Sequence, residues 1–418
     1  MAYMRTRYTD VGFAVETAFG TEKTTGFTYI PVEPTTPSFA RSTVESPARA
    51  SRFGGFEAAI PGGKDGGTID LTFPLRGAAS AYDATSDGEA SFPAERDLIL
   101  SALGSGTANA PDSNAYEFEG MHTSSSAYQW VVDTGADDAG KFLAAEGLSY
   151  GFASSTASGA TAAYVLAQAG TDNTPDANGD LLPSYTGFLS SVEPLSYTLR
   201  MVGEETEHGV ILIGCLPQSV AFNFEAGQPA TCTITMRFTD HKIDDTIGGL
   251  KSQESRVSLP PLLSGANGRI VVGTSSGGTK RCGLAAASIT IENTFSAQPC
   301  YDKPGGVIVK RTDATVTMSL SAAWDNGDTV TSNEHEWEYL LDSRGTEAFG
   351  VYLGSAAGNI MGWLMPAGVV DEQPTLTDRD GVIALEFTAT ASGNLDAQHA
   401  GGDSANGCAT SPFLWGFA

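Results

Sequence analysis

Apolar and polar positions alternate along two short arms between Leu216 and Asp240, LPQSVAFNFEAGQPATCTITMRFTD. Val220, Phe222 and Phe224 alternate with small or polar residues. Glu225 to Pro229 interrupts the run, and Cys232, Ile234, Met236 and Phe238 then alternate again. Period two on both sides of a Gly- and Pro-containing break predicts a β-hairpin. A related stretch, MPAGVVDEQPTLTDRDGVIALEFTA, runs from Met365 to Ala389. Laid on the first without a gap, at an offset of 149 residues, it places Pro366 on Pro217, Ile383 on Ile234, Leu385 on Met236 and Phe387 on Phe238. The apolar positions recur, which points to an internal duplication.

A second offset supports the repeat. Val44 and Glu45 lie 247 residues before Ile291 and Glu292, and Ile69, Leu71 and Phe73 lie 247 before Val316, Met318 and Leu320. A helix signal follows in each half. The first is Ser91 to Leu103, with a proline early, acids in the first turns and Gly104 after the end; the second is Ser332 to Ser343, closed by Gly345. The drop in offset from 247 to 149 leaves 98 extra residues in the first half, between about Gly104 and Thr198. That region is rich in Ser, Ala, Gly and Asp and holds strand-like pieces at Ala127 to Val132 and Ala162 to Ala167. The expected organisation is an N-terminal arm at 1–24, a first domain at 25–240 carrying a β-rich insertion at about 105–197, a linker at 241–261 and a second domain at 262–418. The insertion is expected to project outward, since a surface insertion costs its host fold little. The apolar ending Pro412 to Phe417 is expected to dock on something.

Composition narrows the function. Charged residues make up 17% of the 418, below the roughly 25% of ordinary globular chains, with Ser, Thr and 49 glycines in their place. The formal charge is −26. A groove that grips nucleic acid needs clustered Lys and Arg to release counterions, and this chain has no such run. Passive contact with DNA, where sticking must be avoided, stays compatible with it. The first residues hold no apolar leader core, so export is not expected. Neither is a membrane span, because Gly209 to Leu216 is the longest apolar run. The cysteines at 215, 232, 282, 300 and 408 are odd in number and fit no metal spacing, which predicts buried reduced thiols.

Candidate chemistry is thin. Gly273-Thr-Ser-Ser-Gly277 has the spacing of a nucleophile elbow, but Gly278-Thr-Lys-Arg follows where a helix is needed. Asp176-Ala-Asn-Gly-Asp180 begins like a calcium loop, yet Leu181 stands where that loop needs Gly and Gly187 where it needs Glu. Asp240, His241, Asp244 and Asp245 cluster in the expected linker and would need further ligands from elsewhere to hold a metal. No enzyme, cofactor or metal site is expected.

The order strand, hairpin, loop, helix, hairpin, occurring twice, resembles the tail tube proteins of long-tailed bacteriophages. The opening Val11-Gly-Phe-Ala-Val-Glu-Thr-Ala-Phe-Gly-Thr-Glu22, the strand Ile291-Glu-Asn-Thr294 and the strand Ile308-Val-Lys-Arg with Val316-Thr-Met-Ser-Leu320 carry the likeness. It covers both halves and not the insertion. The resemblance implies an all-β fold with minor α: two tandem β-sandwich or half-barrel domains, each flanked by one short helix. It also implies a structural virion protein that self-assembles into stacked rings and forms a channel for DNA ejection. Three two-domain chains would then make each pseudo-hexameric ring. The partners would be further copies of itself, other tail proteins at the tube ends and genomic DNA passing without tight binding, with no membrane. The place would be the virion tail, assembled in the host cytoplasm. On this reading Asp70 and Glu225 are expected to face the lumen, and Val11, Phe13 and Phe19 to form an arm between rings. The alternatives are a β-sandwich capsid decoration or surface-array protein, and a secreted β-rich hydrolase or carbohydrate-binding module.

Overall fold

The structure is a computed structural model. It describes residues 8–44, 60–77, 95–109, 118–124, 127–132, 142–145, 149–152, 165–166, 181–182, 184–190, 192–203, 209–225, 227–244, 262–263, 269–273, 279–280, 284–300, 303–323, 347–354, 358–370, 375–379, 382–392 and 411–418. The fold is all-β with minor α, built from antiparallel strands and, among the described residues, one helix.

In chain order the first elements are β1 (Tyr8–Val15), β2 (Thr28–Thr35), β3 (Ser38–Val44), β4 (Ile60–Pro74), helix α1 (Arg96–Leu103) and β5 (Gly104–Asn109). The insertion contributes β6 (Phe118–Ser124), β7 (Ala127–Val132), β8 (Phe142–Ala145), β9 (Ser149–Phe152), β10 (Val165–Leu166) and β11 (Leu181–Leu182). The first half closes with β12 (Ser184–Leu189), β13 (Tyr197–Gly203), β14 (Gly209–Glu225), β15 (Thr231–Phe238) and β16 (Asp240–Asp244). The second half holds β17 (Arg269–Gly273), β18 (Thr279–Lys280), β19 (Leu284–Cys300), β20 (Lys303–Ala323), β21 (Glu347–Gly354), β22 (Ile360–Val370), β23 (Thr375–Arg379), β24 (Val382–Ala391) and β25 (Leu414–Phe417).

The expected hairpin is β14 against β15, with Val220 opposite Ile234 and Phe222 opposite Cys232. All four side chains are buried, together with Phe224, Met236 and Phe238. β14 is long enough to serve twice. Its first part, Gly209 to Ile213, pairs with β13 and β16, and its last part pairs with β15 and β19. Gly214, at φ 66, stands between the two parts, a backbone setting that favours glycine.

One strand order occurs twice. β3, β4, β15 and β14 are neighbours in that order, and so are β19, β20, β24 and β22. β14 and β19 join the two runs into one continuous sheet. The offset of 247 holds between β4 and β20, where Ile69, Leu71, Phe73, Val316, Met318 and Leu320 are all buried. The gapless offset of 149 does not hold. In the ladders, Val369 stands in the place of Ser219 and Thr390 in that of Thr235. The reason is β23, which takes the first half of β24 as its own partner, Leu376 opposite Leu385. The β22–β24 pairing is thereby pushed to Gly368–Val370 and Ala389–Ala391. Val44 likewise faces Ile60, whereas Ile291 faces Val316, so those two positions are not equivalent.

Three expected boundaries need correction. Val11 and Phe13 do not belong to a free arm: β1 lies between β2 and β13, and both side chains are buried in the chain's own core. Phe19 is half-buried in the turn after β1. The linker does not begin at 241, because β16 pairs back onto β14 with His241 opposite Leu212. The insertion is narrower than 105–197, since β5 and β12 pair with each other and β12 pairs with β25. The six strands from β6 to β11 do form a separate sheet. That sheet is tied to the body at its base. Phe142 is fully buried, and its N–H donates to Thr186 Oγ1 at 2.7 Å. A Cβ added at Gly416 would lie 2.3 Å from the Phe142 ring, and one at Gly362 would lie 2.6 Å from it, so two glycines make the slot this ring fills.

Helix α1 ends where expected, at Gly104, which is left-handed at φ 99 with its N–H on the Leu100 carbonyl. It buries Leu98, Ile99, Ala102 and Leu103 against the sheet. The second predicted helix lies outside the described residues. The apolar ending is β25, fully buried between β12 and β22, so it docks within its own chain. No helix among the described residues is long and apolar enough to cross a membrane.

Candidate functional site

The sheet running from β4 through β15, β14, β19 and β20 to β24 has two unlike faces. Alternation sends Leu71, Ile234, Val220, Ile291, Met318 and Ala389 into the core. The residues between them point the other way, and the registers lay them out in rows. One row reads Asp70, Thr235, Ser219, Glu292, Thr315. The next reads Thr72, Thr233, Ala221, Thr290, Thr317, Thr390. A third reads Pro74, Thr231, Asn223, Ser288, Ser319, Thr388. Glu225, Ala286, Ser321 and Glu386 form the fourth. All of these side chains are half-buried or exposed.

This face is a lattice of hydroxyls. Thr235 donates its hydroxyl to Asp70 Oδ1 at 2.7 Å. The hydroxyls of Thr72 and Thr233 meet at 3.0 Å, as do those of Ser319 and Thr388. Thr35 donates to the Asp70 carbonyl at 2.6 Å. Cross-strand Thr pairs of this kind stabilise a sheet without apolar cover. The charges on it are unbalanced. Asp70, Glu225, Glu292, Asp313 and Glu386 stand against Arg237 and Lys310. Asp70 and Glu225 therefore share one exposed face. Glu292, Asp313 and Glu386 extend the set. They were out of reach of sequence reasoning because their common face depends on which strands pair, and alternation alone does not say that.

The seam between the halves is fastened by polar groups. Asn293 is buried and donates Nδ2 to the carbonyls of Pro217, at 3.1 Å, and Ala102, at 3.3 Å. Arg311 donates to the carbonyls of Ala102 at 3.1 Å, Val192 at 2.8 Å and Ser190. Its backbone N–H donates to Glu193 at 3.0 Å. A guanidinium with several donors suits carbonyls left over at a helix C-terminus. Burial lowers the Arg311 pKa, opposed by Glu193.

The other candidates do not assemble into a reactive site. β17 and β18 pair antiparallel, Val272 opposite Thr279, so the Gly273–Gly277 stretch joins a hairpin rather than a strand to a helix. Asp240, His241 and Asp244 lie along β16, and no group of three metal-ligating side chains occurs among the described residues. The Asp176–Asp180 stretch lies outside them. Cys215 and Cys232 are free and buried, and burial raises both thiols well above their ordinary value. Glu95, at the start of α1, is buried, and its carboxyl is pushed up to about 7 by desolvation, against the Arg76 N–H at 3.3 Å and the Arg76 charge.

Compared with known proteins, the chain matches no family model, and no curated protein matches it.

Proposed function

We propose that this chain is a structural, non-enzymatic protein that self-assembles into stacked rings, the tail tube of a long-tailed bacteriophage, through which DNA passes. The observation that carries the reading is the joined sheet: one strand order occurring twice, apolar on one face and hydroxyl-lined and acidic on the other. DNA carries one negative charge per about 1.7 Å of its axis. Lys and Arg facing it would bind. Carboxylates spaced among Thr and Ser repel it weakly everywhere and let it slide. On this reading the halves are two tandem tube domains from a duplication, three chains fill six positions around a ring, and Asp70 and Glu225 face the lumen. Negative-stain microscopy of the purified chain tests it. Hollow stacked rings are the expected image. Flat arrays would favour a surface or capsid-decoration protein, and a monomer at every concentration would overturn self-assembly.

A further inference from the structure

β25 meets the rest of the chain as a separate peptide would. It runs antiparallel between β12 and β22, with Trp415 opposite Gly187 on one side and opposite Trp363 on the other. Among the described residues, none of its ladders is to β24, the strand before it in sequence. Its backbone bonds continue past the ladders. The Leu189 N–H donates to the Phe413 carbonyl at 3.1 Å, the Gly358 N–H donates to that of Ala418 at 2.9 Å, and the Ala418 N–H donates to the Ile360 carbonyl at 3.0 Å. The two walls do not rely on β25 for a partner: β12 also pairs with β5, and β22 with β21.

The slot selects side chains on both faces of the strand. Phe413, Trp415 and Phe417 enter the main core, while Leu414 and Ala418 enter a smaller cluster with Phe142, Phe188 and Tyr352. The Phe417 ring lies on that of Tyr185, centroids 5.6 Å apart at 21°. Gly416 passes under Phe142, where a Cβ would lie 2.3 Å from the ring. The fit also carries a penalty. The Trp363 and Trp415 indole nitrogens are buried, and no acceptor among the described residues meets either. A buried donor without an acceptor gains by returning to water, which Trp415 does when β25 leaves.

We infer that the slot between β12 and β22 is a strand-binding site, and that the segment Ser411–Ala418 is an exchangeable ligand in it, not a fixed part of the sheet. A strand added to a sheet edge takes affinity from main-chain hydrogen bonds and selectivity from alternate side chains. The class of ligand follows: an extended peptide with aromatic side chains at alternate positions and glycine where it passes under Phe142. Occupancy has a structural consequence. β12 belongs to the first half, β22 to the second and Phe142 to the base of the insertion. A seated β25 therefore ties the halves at a second place besides β14 and β19, and holds the insertion to both.

The test cuts the folded full chain at a specific protease site placed, with glycine spacers, between Gly401 and Gly402, so that Ser411–Ala418 loses its covalent tether. The cut segment should stay bound through gel filtration. A fluorescent synthetic peptide of residues 411–418, added in excess, should replace it one for one, read by anisotropy and by recovery of the displaced segment. A peptide with Gly416→Val should compete about a hundredfold less well, the size expected of an overpacked contact. In the uncut chain, the amide hydrogens of β25 should exchange with solvent ahead of those of β14 and β19. A cut segment that stays and admits no peptide, a slot that loses its segment and takes none back, or a body that unfolds on cutting would each overturn the proposal. So would a Gly416→Val peptide that competes as well as the native one, or β25 amides that exchange only together with those of β14 and β19.

Discussion

Single side chains set the conditions under which this body holds together. Glu95 carries a carboxyl whose folded-state pKa is raised to about 7 by burial. A proton is then bound more tightly in the folded chain than in the unfolded one. The stabilisation is fully present below the unfolded value, near 4.5, and is lost as pH rises through about 7. The span corresponds to at most about 3 kcal/mol. Glu95→Gln should raise the melting temperature at pH 8 and leave it little changed at pH 5, measured by thermal scans at both. Phe142 is a packing case. Truncation to Ala would empty the slot between Gly362 and Gly416 and should cost about 3 kcal/mol in denaturant unfolding, in the range for buried aromatic residues. Sequence reading missed the burial of Val11 and Phe13 for a physical reason. Val11, Gly12, Phe13 and Ala14 are all buried, so β1 is covered on both faces and shows no alternation to read.

At the scale of elements, alternation revealed what it could. The β14–β15 hairpin was legible because one face meets the core and the other does not. The β22–β24 pairing was not, because β23 competes for the same strand, and a gapless alignment has no means of registering a competitor. The acids show the same limit: Asp70, Glu225, Glu292 and Glu386 lie on different strands and share a face only through cross-strand pairing, which no single strand reveals. The seam makes a separate prediction. Arg311 meets carbonyls of Ala102, Ser190 and Val192 from different directions. Arg311→Ala should destabilise by about 2 kcal/mol, since it leaves polar groups without their charged donor. Arg311→Lys should recover less than half of that in the same unfolding assay, because an ammonium lacks the planar fork.

For the whole molecule, the charge on one face decides how it treats DNA. Replacing Asp70, Glu225, Glu292 and Glu386 together by Lys changes eight units of charge on a surface whose described bases are Arg237 and Lys310. The variant should bind duplex DNA at low salt and release it as salt rises, followed by fluorescence anisotropy, while the wild type shows no binding under the same conditions. Net charge alone does not specify this outcome. It depends on the acids sharing a face with hydroxyls.

β14 is common to both sheets that meet in the first half, one through its start and the other through its end. A load that draws those sheets apart along the strand is therefore carried by covalent backbone across Gly214 rather than by a row of hydrogen bonds in series. The two sheets should yield together, as a single rip in a single-molecule pulling trace, and the first half should resist tension as one mechanical unit.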